Sequence, residues 1–64
     1  EMTRYTITYG SRNETITLDL ADITDAVEIY NAAYAKLKDR QAAYLVLAAV
    51  HEGNFKLEKE KVNV

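Results

Sequence analysis

His51 is the only histidine in this 64-residue chain, and imidazole is the side chain best suited to move a proton near neutral pH. No serine stands near it in a nucleophile motif, and the chain has no cysteine. Its setting, "LAAVHEGN", suits a last helical turn, where a cation faces free carbonyl ends. We therefore assign no catalytic residue. One histidine and no cysteine also leave no ligand set for zinc and no disulfide.

Four carboxylates, Asp19, Asp22, Asp25 and Glu28, recur every third residue. On a helix, steps of three turn the last three of them across about 120°, so they diverge where metal ligands would converge. The spacing and the glycine of a calcium loop are also missing. No metal or cofactor is expected. Asp22, Asp25 and Glu28 read as solvated carboxylates matched to a helix dipole, or as the acidic rim of a docking surface.

Arg4, Arg12, Lys36, Lys38 and Arg40 could touch phosphate, which makes a small dimeric nucleic-acid-associated regulator the alternative reading. Eight basic against ten acidic residues leave the chain at −2, and Asp39 interrupts the run. A solvated basic face is the plainer expectation, and nucleic acid is not the expected partner. Asn13-Glu14-Thr15 spells an N-glycosylation acceptor, a pattern short enough to arise by chance.

Five tyrosines are many for this length. Tyr5 and Tyr9 share one strand parity, and Tyr30 and Tyr34 are one helical turn apart. Tyrosine joins an apolar body to a polar tip and is enriched at protein interfaces.

These side chains need elements to position them. Residues 3–9, "TRYTITY", and 14–20, "ETITLDL", alternate with period two and are rich in β-branched and aromatic residues, the pattern of half-buried strands. The "GSRN" between them closes an antiparallel hairpin, apolar on one face and threonine-rich on the other. A helix over residues 22–38 follows, capped by Asp22 or Thr24, with acids early and Lys36 and Lys38 late. Its apolar stripe is read as Ile23, Val27, Tyr30, Tyr34 and Leu37.

Residues 42–50, "AAYLVLAAV", are nine apolar residues in succession. Four alanines, Asp39 as an N-cap and Gly53 as a C′ residue favour a second helix at 40–52. "YLVL" keeps a third strand open, which would give the order ββαββ. That order is similar, at the level of fold alone, to small immunoglobulin-binding domains. As no proline or glycine interrupts residues 22–52, one unbroken helix would run about 45 Å and overshoot the sheet, so a break near 38–41 is expected. "FKLEKEKVNV" reads as a C-terminal edge strand whose charges discourage further pairing. The class is α+β, one small domain over residues 1–64.

A chain this short buries only about 60% of its unfolded surface, and a core of that size rarely supplies more than about 3–5 kcal/mol. In either reading of 42–50, apolar surface is left over. Another protein chain, a second copy or a larger target, is expected to cover it. Tyr30, Tyr34, Tyr44, Leu45 and Leu47 are the expected contact residues, with Asp22, Asp25 and Glu28 at the rim. This describes a non-enzymatic inhibitor, adaptor or small subunit, as a homodimer. The longest apolar run is half of a bilayer span, so no membrane is involved. The opening "EMTRYTITYG" has no basic segment followed by an apolar one. A cytoplasmic protein is expected, with Glu1 read as an expression remnant ahead of a natural start at Met2.

Overall fold

The computed structural model describes residues 1–63. Five elements follow in order: β1 (Met2–Tyr9), β2 (Glu14–Leu20), α1 (Ala26–Leu37), α2 (Arg40–His51) and β3 (Phe55–Val62). The strands form one antiparallel sheet in the order β2-β1-β3. Both helices lie on the same face, α1 over β2 and α2 over β1. The α+β class and the hairpin follow the expected pattern.

The alternation of the hairpin becomes register. Tyr5 pairs with Leu18 and Ile7 with Ile16, which puts the apolar residues on the helix side. Thr6 pairs with Thr17 and Thr8 with Thr15, which puts the threonines on the open face. The turn spans Gly10 to Asn13, where the Asn13 N–H donates to the Gly10 carbonyl at 3.2 Å. Both residues have positive φ, at 77° and 54°, and Gly and Asn are the residues that best tolerate that region.

The nine-residue apolar run is helical, so the third strand and the ββαββ order are not adopted. Two caps and the alanine content outweigh the strand character of "YLVL". The Asp39 carboxylate accepts from the N–H groups of Gln41 and Ala42. At the far end, Gly53 N–H donates to the Val50 carbonyl and Asn54 N–H to the Ala49 carbonyl. Gly53 takes a φ of 82°. Those two bonds are a Schellman motif, which a residue in the left-handed region permits. Between the helices the chain breaks at Lys38, at φ 56° and ψ 31°, within the expected window.

Two expectations for α1 are corrected. It starts at Ala26 with Asp25 as its N-cap, rather than at Asp22 or Thr24, because Asp22 is used in its own turn. Its Oδ1 accepts from both the N–H and the hydroxyl of Thr24. The buried residues of α1 are Ile29 and Ala33, with Tyr30, Ala32 and Leu37 partly buried against the same core. Val27 and Tyr34, counted in the inner stripe, are exposed at 69% and 40%. Ile29 and Ala33, one turn apart, form the face of α1 that meets α2 and β2.

The core joins Ile7, Tyr9, Ile16, Leu18 and Leu20 of the sheet to Ile29, Ala33, Ala43, Val46, Ala49 and Val50 of the helices. Phe55 completes its β3 side with an edge-on contact to Tyr5, ring centroids 5.7 Å apart. Farther along, β3 is irregular. One step from Arg4 to Tyr5 spans Lys59 to Leu57, and two steps from Met2 to Arg4 span Val62 to Lys59. Each is an extra residue on β3, a bulge, and Lys61 sits there with φ 57°.

Candidate protein-binding surface

α2 presents two chemically different sides. Ala43, Val46, Ala49 and Val50 face inward. At 100° per residue, Tyr44, Ala48 and Leu45 share the outward half. Tyr44 is 55% and Leu45 49% exposed, and with Ala48 they leave three of the nine residues of the apolar run uncovered by their own chain. Leu47 is partly buried against the core and supports this surface from below.

The outward tyrosines meet across the seam between the helices. Tyr30 and Tyr34 stack with centroids 6.0 Å apart and planes 13° apart. Tyr30 and Tyr44 stand at 5.0 Å and 47°. Tyr30 is the half-buried centre, with Tyr34 and Tyr44 to either side. Locking each ring against another removes rotamer freedom before any partner arrives, which lowers the entropic cost of binding. A shallow hollow of about 410 Å³ continues from Tyr44 along Leu47, Ala48 and His51. On the other flank of α2, Leu45 leans toward Gly10 of the hairpin turn. There it borders an open groove of about 600 Å³ that also touches Thr8, Tyr9, Ala48 and Phe55. The five expected contact residues thus divide into a tyrosine cluster, Leu45 on a separate flank, and Leu47 beneath.

The three acids are occupied by the backbone. Asp25 accepts from the N–H groups of Val27 and Glu28. Glu28 reaches back across the loop with both oxygens, to the Ala21 N–H at 2.7 Å and the Asp22 N–H at 3.0 Å. The Thr24 hydroxyl and N–H hold the Asp22 carboxyl below its usual range. Their structural task is to fix the β2–α1 loop and the start of α1.

Two arrangements were not legible in the sequence. Arg4 forms a two-pronged bond with Asp19 across β1 and β2, Nε to Oδ1 at 2.8 Å and Nη2 to Oδ2 at 3.1 Å. The pair lowers the Asp19 pKa and raises that of Arg4, chiefly through the side-chain hydrogen bond. Strand parity held the signal, since Arg4 and Asp19 are register partners. Lys36 donates its ammonium to the Thr17 carbonyl on β2. Of the five basic residues, these two are engaged with β2, Arg12 lies in the hairpin turn, and Lys38 and Arg40 flank the α1–α2 break. Burial raises the Tyr9 pKa, with the Glu14 carboxylate adding to it.

His51 lies exposed in the last turn of α2. Among the described residues no group of three His, Cys, Asp or Glu side chains is placed to hold a metal. No helix among them is long and apolar enough to cross a membrane. Compared with known protein families, with characterised proteins and with solved structures, the chain finds no match.

Proposed function

We propose that this chain is a non-enzymatic protein-binding module that covers a surface of a larger protein, as an inhibitor, adaptor or small subunit, and that it does so as a homodimer. One observation carries the reading: Tyr30, Tyr34 and Tyr44 are packed ring on ring at the outer seam of the helices, with an exposed Leu45 on the other flank of α2. Rigid tyrosines with apolar neighbours are the groups that concentrate binding energy at protein interfaces. Tyr34 and Tyr44 are the anchors, Leu45 widens the contact, and Leu47 supports it from the core side. Asp22, Asp25 and Glu28 shape the nearby loop and contribute through its rigidity.

The test is saturable capture of a partner from cell extract, followed by titration of that partner against variants. A hot-spot tyrosine is worth about 2 kcal/mol or more, roughly 30-fold in affinity. Tyr34→Ala, Tyr44→Ala and Leu45→Glu are each expected to lose at least about 10-fold while melting like the wild type. Variants that bind as the wild type does, or capture that never saturates, would reject the assignment.

A further inference from the structure

We infer that the outer edge of β2 is the docking strand for a second copy of this chain, paired antiparallel about Thr17. The inference rests on the homodimer half of the proposed function and uses a surface separate from the tyrosine cluster.

The direction of the free groups on β2 follows from two independent bonds. The Thr8 N–H of β1 donates to Asn54, on the β3 side, so Thr8 does not bond to its β2 opposite, Thr15. In an antiparallel ladder that makes Thr15, and by parity Thr17 and Asp19, point their N–H and C=O groups away from β1. The Lys36 ammonium on the Thr17 carbonyl agrees, because a carbonyl engaged by a side chain is not spent on the ladder to β1.

The two edges of the sheet are built differently. β3 carries five charged residues among eight, Lys56, Glu58, Lys59, Glu60 and Lys61, and its register breaks twice. Charges and bulges are the devices that keep edge strands from pairing. β2 keeps an unbroken register over all seven residues, and only Glu14 and Asp19 are charged.

This edge is complementary to itself. With Thr17 on a two-fold axis, Thr17 faces Thr17 of the partner, and Thr15 faces Asp19. All three outward residues then form hydrogen-bonded pairs. A shift of the axis to Ile16 or Leu18 would use only two of them. Ile16 meets Leu18 on the helix side and Glu14 meets Leu20, so no like charges stand opposite each other, and Thr–Thr is a favourable cross-strand pair. The α1 flank beside this edge carries Ala32, one turn before Lys36, and Ala35, both small. Lys36 is the side chain that sits on the edge. The partner's Thr17 N–H takes its place on the carbonyl and the ammonium returns to water beside Asp19, whose carboxylate it already favours. The result is a six-stranded sheet with four helices on one face and both tyrosine clusters exposed.

The test combines sedimentation equilibrium with amide hydrogen exchange over about 10 μM to about 1 mM, the range suited to a contact at the small end of interface sizes. The expected result is a mass rising toward twice 7.3 kDa, with exchange at Thr15, Thr17 and Asp19 slowing in step. Thr17→Lys sets two ammonium groups face to face at the axis and is expected to stay monomeric. Thr6→Lys, on the same open face but on the central strand, is expected to dimerise like the wild type. A constant mass of 7.3 kDa overturns the inference. So does a dimer whose three edge amides exchange independently of concentration, a reading that needs no variant. Tyr44→Ala separates the two surfaces: loss of the larger partner with the edge-paired dimer intact supports the inference, and a dimer that does not use the edge overturns it while leaving the tyrosine anchors standing.

Discussion

Lys38 offers a direct measurement of what the α1–α2 break costs. Its backbone lies at φ 56°, ψ 31°, where the Cβ of an L-residue is crowded by about 1–2 kcal/mol. Glycine removes the crowding but gives the unfolded chain more freedom, a counter-effect of about 0.5–1 kcal/mol. The bond that closes the turn, Lys38 N–H to the Tyr34 carbonyl at 2.8 Å, belongs to the backbone and survives substitution. Removing the ammonium also removes a favourable cation from the end of α1, so the cleaner comparison is Lys38→Gly against Lys38→Ala, which share that loss. Glycine is expected to be more stable than alanine by roughly 0.5–1 kcal/mol. At about 4–8 °C per kcal/mol for a domain of this size, that is about 2–8 °C in Tm, read by far-ultraviolet circular dichroism. Glycine melting at or below alanine would refute the account of the break as a left-handed cap.

The remaining predictions concern the core and acid pH. Leu18 is 1% exposed, and Leu18→Ala is expected to cost about 2–5 kcal/mol, most of what a chain this small has. Chemical denaturation should find it largely unfolded before denaturant is added. The Asp19 and Asp22 carboxyls are held below their usual pKa, so their stabilising effect is complete above the unfolded carboxylate pKa and is lost as pH falls through the folded values. Melting temperature should therefore drop on the acid side, and Asp19→Asn should flatten that drop. An unchanged acid limb in the variant would remove the Arg4–Asp19 pair from the explanation.

Period-two alternation in "TRYTITY" and "ETITLDL" was enough to place the hairpin, because a strand's two faces are written directly into neighbouring residues. Asp39 and Gly53 were legible as the limits of α2 for a similar reason, since caps act over two or three residues. The apolar run itself was ambiguous: a stretch with no polar face has no period to read. For α1, pattern alone misled. Val27 and Tyr34 fit the regular three-and-four spacing, yet Ile29 and Ala33 are buried. Which side of a helix turns inward depends on where α2 and β2 lie, and nothing within α1 records that.

The division has a physical basis. Local interactions, namely side-chain parity, capping oxygens and left-handed glycine, are complete within a few residues, so the linear chain determines the hairpin, the ends of α2 and the α+β class unaided. The Arg4–Asp19 bridge closes over 15 residues and the Lys36–Thr17 bond over 19. The tyrosine cluster spans a helix break, and the bulges of β3 exist only against β1. Those features are relations between distant segments, so they were decided when strand paired with strand and the helices settled on the sheet, and they set which surfaces this protein can offer to another.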